Sequence, residues 1–159
     1  MSIRCASKAV IVKEGCVLLN RCRHMNGSIY YDLPGGGQHT GETMEEALVR
    51  EVREETGYEV RAARFAGLAE EIYTDPLICQ RYPEYVHRLL HIFIARIVGE
   101  HRTAPSEKDL CMEESVWVPL ENVEKLIINP EGIASTLRKI LEDNETTIYL
   151  GSRRIVDFE

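Results

Sequence analysis

The hydrophobic and polar positions along the chain predict strands more often than helices. Apolar runs at residues 9–13 and 16–21 flank a Glu-Gly pair, and this arrangement is typical of a β-hairpin. The most apolar stretch, residues 86–98, predicts a long central strand. Residues 74–84 contain two prolines, so they predict a loop beside that strand.

The C-terminal third adds a helix and further short strands. Residues 133–141 place apolar side chains at helical spacing and predict an amphipathic helix. Residues 147–150 and 154–158 flank Gly151 and predict a second hairpin. This order of elements implies a mixed sheet between helices. The remaining predicted elements are strands at 58–65 and 116–118 and a helical turn at 119–126.

One predicted helix places carboxylates on its apolar face. Leu48 and Val52 share one side of this helix, Glu51 and Glu55 fall inside the same stripe, and Glu54 lies beside it. Acids at this spacing repel one another, and the C-terminal end of a helix also disfavours negative charge. A positive group should therefore compensate them. Crowded oxygen ligands suit a hard cation, and Mg²⁺ is the one we expect.

A Glu-rich helix is more often only a solvated face, and Glu45 fits that interpretation. Thr43 and Glu46 form a Thr-x-x-Glu pattern, which predicts a capping box at the start of the helix rather than chemistry. For the three glutamates near the C-terminal end, the inward placement favours a functional site.

The segment around this helix resembles the Nudix box. Five residues separate Gly36 from Glu42, seven more lead to Arg50, and the run Arg50-Glu51-Val52-Arg53-Glu54-Glu55-Thr56-Gly57-Tyr58 follows. The family pattern is Gly-x5-Glu-x7-Arg-Glu-aliphatic-x-Glu-Glu-x-Gly-aliphatic. Tyr58 is the one departure, and a tyrosine can still pack there as the first residue of a strand.

The resemblance implies an α/β fold, the Nudix α/β/α sandwich, with a mixed β-sheet between helices. A chain of 159 residues fits a single domain. We expect the core at about residues 3–142 and a C-terminal hairpin or extension at 145–159.

The resemblance also implies a metal-dependent pyrophosphohydrolase that cleaves a nucleoside diphosphate linked to another moiety into a nucleoside monophosphate and a phosphorylated product. The expected cofactor is Mg²⁺, with Mn²⁺ as a substitute. By resemblance, either Glu51 or Glu54 is the general base, and Arg50 pairs with Glu42 to brace the loop against the helix. The expected metal ligands are Glu51, Glu54, Glu55 and the carbonyl of Gly35 or Gly36.

Outside the box, several charged residues are weaker candidates. Glu114, next to Glu113, lies where many relatives supply another acid near the metals, although exposed loop glutamates are common. Arg21 and Arg23 end the second apolar strand and are candidates to bind phosphate, but solvated arginines at a strand end are the ordinary alternative.

Substrate specificity should come from a loop near the box, because the catalytic helix is shared by the family. Tyr82 and Arg81 are the candidates, the first for stacking on a base and the second for a phosphate or ribose. A homodimer contact is the alternative for this tyrosine-rich segment. The sequence favours no substrate subclass.

Composition limits the remaining function classes. The net charge of −7 argues against a nucleic-acid partner. The N-terminal apolar run is too short and too charged for a signal peptide or a membrane span, so we expect a cytoplasmic protein with no membrane partner. Two other functions stay open: hydrolysis of a non-nucleotide polyphosphate, and a nucleotide-sensing module without catalysis, against which the intact glutamate set argues.

Overall fold

Strands dominate residues 2–156, the part of the chain that the structure, a computed structural model, describes. The strands are β1 (Arg4–Lys13), β2 (Cys16–Arg23), β3 (Ile29–Asp32), β4 (Gly35–Gly37), β5 (Tyr58–Tyr73), β6 (His87–Arg102), β7 (Met112–Pro119), β8 (Ile128–Asn129) and β9 (Ile148–Ile155). The helices are α1 (Met44–Thr56), α2 (Pro76–Arg81) and α3 (Ile133–Glu142), with 3₁₀ turns at Pro83–Tyr85 and Leu120–Lys125.

The sheet is mixed, as the order of elements predicts. Its strands follow the order β8-β3-β2-β1-β6-β5-β9, with β4 paired to β1 and β7 paired to β2. The β1–β6, β5–β9 and β3–β8 pairs are parallel, and the others are antiparallel. One edge of β1 is shared, because β4 pairs with its N-terminal half and β2 with its C-terminal end. β4 therefore takes the place of β2 beside the N-terminal half of β1.

Helices cover both faces of this sheet. Val10 on β1 packs in one apolar cluster with residues of α3, and its neighbour Ile11 packs in another with residues of α1. Adjacent strand residues point to opposite faces, so a single strand supplies both layers of the core. The predicted α/β/α sandwich is confirmed.

Local sequence fixes both ends of α1. The backbone N–H of Glu46 donates to Oγ1 of Thr43 at 3.1 Å, and the N–H of Thr43 donates to Oε2 of Glu46 at 2.7 Å. At the other end Gly57 adopts a left-handed conformation, and its N–H donates to the carbonyl of Arg53. The predicted capping box is present, and Gly57 caps the C-terminal end of the helix.

Two predictions about secondary structure are wrong. Residues 74–84 are not only loop, because Asp75 accepts hydrogen bonds from the N–H groups of Leu77 and Ile78 and starts the short helix α2. The second hairpin is instead the single strand β9, which runs parallel to β5. Gly151 has a φ of 91°, and it lies where β9 advances three residues while β5 advances two, so it forms a bulge rather than a turn. Phe158 lies outside the described residues.

The long central strand predicted at 86–98 is confirmed as β6, and the helix predicted at 133–141 is confirmed as α3. The short strands β3, β4 and β8 were not predicted. Within residues 2–156, no helix is long and apolar enough to cross a membrane.

Candidate active site

The glycine strand β4 lies between β1 and α1, and at each of its three positions a Cβ would overlap a neighbouring group. Gly35 has a φ of 127°, and a Cβ there would overlap the carbonyl oxygen of Ser7. A Cβ on Gly36 would overlap the carboxylate of Glu51. Glycine therefore allows the backbone of β4 to approach both the sheet and the glutamates of α1.

Glu55 is the buried member of the three inward glutamates, with only 4 % of its surface exposed. Its Oε2 accepts hydrogen bonds from Nδ2 of Asn20 at 2.7 Å and from the N–H of Gly35 at 2.9 Å. Burial raises the pKa of Glu55 to about 8, although the positive charge of Lys8 and the hydrogen bond from Gly35 oppose the rise. At pH 7 and without a nearby cation, this carboxyl group is therefore largely protonated.

Glu51 and Glu54 are partly exposed, and both contact Arg50. Nη1 of Arg50 lies 2.8 Å from Oε1 of Glu51 and 3.2 Å from Oε2 of Glu54. The glutamates thus have separate protein partners: Arg50 for two of them, Asn20 and Gly35 for the third. Among the described residues, no three His, Cys, Asp or Glu side chains are grouped closely enough to hold a metal ion.

Arg50 also joins the loop before α1 to the helix. Its Nε lies 2.6 Å from Oε1 of Glu42, and its Nη2 lies 2.9 Å from the other carboxylate oxygen. Nη2 additionally donates to the carbonyl of Gly37 at 2.9 Å. The hydrogen bonds from Arg50 lower the pKa of Glu42 to about 2. The structure thus contains the Arg50–Glu42 pair that the resemblance implies, in bidentate geometry.

Lys8 is a buried charge at this site that the sequence analysis missed. Its Nζ donates to Oδ2 of Asp32, to the carbonyl of Leu33 and to the carbonyl of Gly35. Burial alone would lower the pKa of Lys8, but the carboxylates of Asp32 and Glu55 outweigh it and raise that pKa to about 12. The sequence did contain a signal for this buried charge. Lys8 alternates along β1 with Ala6 and Val10, two apolar residues that are both buried.

The charged candidates outside the box contact one another. Arg21 and Arg23 both bind the carboxylate of Glu113. Glu114 is exposed on β7 and lies opposite Arg21 in the strand register. Their predicted roles in binding phosphate or metal stay predictions. The sequence analysis also missed Asp109, in the loop before β7. Burial is the main cause of the raised pKa of Glu55, and the negative charge of Asp109 raises it further.

The predicted specificity residues lie in an aromatic cluster. The guanidinium of Arg81 lies 5.5 Å from the ring centre of Tyr82, which contacts Tyr85 edge to face. Arg4 links this cluster to the glycine strand: its guanidinium lies 4.8 Å from the ring centre of Tyr85, and a Cβ on Gly37 would overlap it. The substrate roles of Tyr82 and Arg81 stay predictions.

Comparison with known proteins identifies the family. The family model of the NUDIX domain matches residues 4–143 of this chain. The chain belongs to the Nudix family. This membership, together with a relative named as a pyrophosphatase, confirms the predicted enzyme class, a pyrophosphohydrolase.

The relatives of this Nudix protein are distant. It is 30% identical over 128 residues to the ADP-ribose pyrophosphatase of Methanocaldococcus jannaschii. The matched segment covers 80% of this chain and 69% of that protein. It is 33% identical over 97 residues to a protein of Mycobacterium tuberculosis named as a mutator protein. That segment covers 61% of this chain but only 36% of the mycobacterial protein. The Nudix hydrolase of Nitrosomonas europaea shares the fold, with a TM-score of 0.67 at 16% identity over 92% of this chain and 93% of that one.

Proposed function

We propose that this Nudix protein hydrolyses the diphosphate bond of a nucleoside diphosphate linked to another moiety and depends on a divalent cation. The products are a nucleoside monophosphate and the phosphorylated second moiety. The observation that carries the proposal is the contact of two inward glutamates with consecutive glycines: Glu55 accepts from the N–H of Gly35, and Glu51 lies against Gly36. A helix that only supported the sheet would place apolar side chains there.

The donor atoms of this site fit Mg²⁺, with Mn²⁺ as a substitute. The carboxylates of Glu51, Glu54 and Glu55 are hard oxygen ligands, and the buried carboxyl of Glu55 would ionise beside a cation. Of the two glycine carbonyls predicted as a ligand, that of Gly35 accepts from Lys8, and Gly36 pairs with Ser7 in the β1–β4 ladder, so both stay candidates. A cation must compete with Arg50 for Glu51 and Glu54. Glu114, exposed on β7, is a weaker candidate ligand.

A bound divalent cation would neutralise the diphosphate oxygens and lower the pKa of the attacking water. The protein's own residues would orient the reaction. Arg50 contacts Glu42 and two of the glutamates, so it holds the loop and the catalytic helix in one arrangement. Glu51 and Glu54 are the candidates to accept the proton of the water, because Glu55 is enclosed between Asn20 and Gly35.

Nucleoside diphosphate sugars are the first substrates to test. The name of the archaeal relative, an ADP-ribose pyrophosphatase, supports this choice. Tyr82 offers a ring for stacking on the base, and Arg81 beside it offers a guanidinium for phosphate or ribose. Arg21 and Arg23 would bind phosphate only by exchanging the carboxylate of Glu113 for it.

The test is a substrate panel with product identification. Purified protein is incubated in Mg²⁺ with ADP-ribose, UDP-sugars, dinucleoside polyphosphates, nucleoside triphosphates and inorganic tripolyphosphate, and products are identified by chromatography and ³¹P NMR. We expect nucleoside monophosphate and a sugar phosphate, with no turnover in excess EDTA. Turnover in EDTA would contradict the mechanism, and cleavage of tripolyphosphate alone would assign the protein to non-nucleotide substrates.

A further inference from the structure

Arg4, the first residue of β1, carries a charge to which the proposed reaction gives no role. Its guanidinium lies 4.8 Å from the ring centre of Tyr85, and a Cβ on Gly37 would overlap it. Within residues 2–156, no acceptor forms a hydrogen bond or an ion pair with this guanidinium. Stacking on an aromatic ring uses the flat face of a guanidinium and leaves the N–H donors in its plane available.

Arg88 lies directly opposite Arg4 on β6, so the two side chains share one face of the sheet. Nη2 of Arg88 donates to the carboxylate of Glu71 and, at 2.8 Å, to the hydroxyl of Tyr73. Nε of Arg88 is buried without an acceptor, and Nη1 has no partner among the described residues. Glu71 therefore satisfies only part of Arg88, and the charge of Arg4 is not compensated.

A second arginine pair in the same sheet shows what is unusual about the first. Arg61 and Arg96 are also direct neighbours, on β5 and β6, but both are exposed, so water and salt screen their repulsion. The side chain of Arg88 is only 22% exposed, and Arg4 is half-buried. Like charges directly opposite each other destabilise a sheet. An anion bound between Arg4 and Arg88 would remove this repulsion.

The glycine strand separates the Arg4–Arg88 pair from the inward glutamates. A Cβ on Gly36 would overlap Glu51, and a Cβ on the next residue, Gly37, would overlap Arg4. Successive strand residues face opposite sides of a sheet, and their Cα atoms are about 3.8 Å apart. β4 pairs with β1 and with no other described strand. A substrate that passes round the unpaired edge of β4 can therefore contact Glu51 and Arg4 together.

We propose that Arg4 and Arg88 form a subsite for an oxyanion of the substrate, either a phosphate of its diphosphate or an acidic group of the second moiety. Guanidinium groups bind phosphate and carboxylate through paired N–H donors, and both arginines have donors to spare. The proposal rests on the proposed function, because it assumes that the diphosphate lies at the glutamates of α1.

The first test is the binding of inorganic pyrophosphate in EDTA, where no cation contributes, measured by isothermal titration calorimetry. Wild-type protein is compared with R4Q and with R96Q, the matched control from the exposed pair. We expect R4Q to bind pyrophosphate at least about 10-fold more weakly, because hydrogen bonds to charged groups are the strong ones. R96Q should bind within about twofold of the wild type.

R4Q should fold, because the side chain of Arg4 has no hydrogen bond to lose and its repulsion of Arg88 disappears. A melting temperature at or above that of the wild type checks this. Equal affinity of R4Q and wild type for pyrophosphate, or no saturable binding to the wild type, would overturn the proposal.

The second test follows the guanidinium groups themselves. In ¹⁵N-labelled wild-type protein, pyrophosphate in EDTA should shift the Nε–H resonances of Arg4 and Arg88 and leave that of Arg96 unchanged. Shifts confined to other arginines would overturn the proposal.

Two substrates decide the source of the oxyanion, because UDP-glucuronate carries a carboxylate that UDP-glucose lacks. A lower kcat/KM of R4Q for both would assign the subsite to the diphosphate, and a loss for UDP-glucuronate alone would assign it to the second moiety. Wild-type kcat/KM for both would overturn the proposal. The pyrophosphate tests need neither turnover nor a cation, so a protein that hydrolysed no compound of the panel would fail the proposed function while the subsite was still decided.

Discussion

The helices α1 and α3 cover opposite faces of the sheet, and each buries three residues at the spacing i, i+4 and i+7. In α3 these are Ile133, Leu137 and Ile140, all apolar. In α1 the corresponding positions are Leu48, Val52 and Glu55. The third buried position is therefore isoleucine in one helix and glutamate in the other, and both side chains are at most 4 % exposed.

The difference is the one expected between a helix that carries the proposed cation site and a helix that only packs against the sheet. Ile140 contributes to stability by removing apolar surface from water, and each such side chain contributes roughly 1.5–3 kcal/mol. Glu55 occupies an equivalent position but has a raised pKa, so its charged form is disfavoured in the folded state. We infer that α3 is optimised for packing and that α1 gives up stability at Glu55 to bind a cation.

The largest expected effect is on turnover. Glu55→Gln keeps the size of the side chain and its hydrogen-bonding oxygen but removes the negative charge. We expect kcat/KM to fall by about 10³-fold, because a lost metal ligand removes several kcal/mol of transition-state stabilisation. Glu45→Gln, an exposed position on the same helix, is the control and should change turnover by less than about twofold. A fully active E55Q enzyme would refute the assignment.

A substitution at the matching buried position of α3 should affect stability rather than turnover. Ile140→Ala leaves a cavity in the cluster that contains Val10, and we expect the free energy of unfolding to fall by about 3 kcal/mol. Urea denaturation measures this loss. At a temperature where I140A is folded, its kcat/KM should match the wild type, and a loss of activity as large as that of E55Q would mean that the two helices do not divide these roles.

The next effect concerns pH. The folded-state pKa of Glu55, about 8, lies above its ordinary value of 4.5. The folded state therefore binds the proton more tightly, so this contribution to stability is complete below pH 4.5 and is lost as the pH rises through 8. In EDTA, E55Q should be more stable than the wild type at pH 8 by about 4 kcal/mol, and the difference should shrink towards pH 5.

Urea denaturation of both proteins at pH 5, 6.5 and 8 measures this difference. The difference in the free energy of unfolding between the wild type and I140A should be nearly constant with pH, because isoleucine does not titrate. A constant difference for E55Q would show that Glu55 is ionised in the folded apo protein throughout this range.

The smallest effect should come from the aromatic cluster around Tyr82. Tyr82→Ala and Arg81→Ala should change the ratio of kcat/KM between two nucleotide substrates by about 10-fold, because one lost stacking or hydrogen-bonding contact contributes 1–3 kcal/mol. Metal dependence and stability should stay as in the wild type. If both variants kept the substrate ranking and shifted the protein towards monomer on size-exclusion chromatography, the segment would belong to an interface.

Much of α1 was predictable because its signals are local. Thr43, Glu46 and Gly57 fix its ends through hydrogen bonds within a few residues. The misplaced acids stand out against the helical period, so their inward direction followed from spacing alone. The Arg50–Glu42 pair came from the family resemblance.

The parts that were missed depend on contacts between distant residues. Lys8 is stabilised by acceptors at Asp32, Leu33 and Gly35, which lie 24 to 27 residues along the chain. Gly151 suggested a turn because glycine permits one, but parallel pairing with β5 draws residues 148–155 into one strand. The three-residue strand β4 exists only because β1 pairs with it, and no propensity would predict a strand in a run of glycines.

The most direct test of the central claim is the anomalous scattering of crystals soaked in Mn²⁺. We predict a peak at about 2.2 Å from carboxylate oxygens of Glu51, Glu54 and Glu55 and from the carbonyl of Gly35 or Gly36. The ion should displace the contacts that Arg50 makes with Glu51 and Glu54. Crystals that diffract well and show no peak at α1 at millimolar Mn²⁺, with Glu55 still held only by Asn20 and Gly35, would contradict the account.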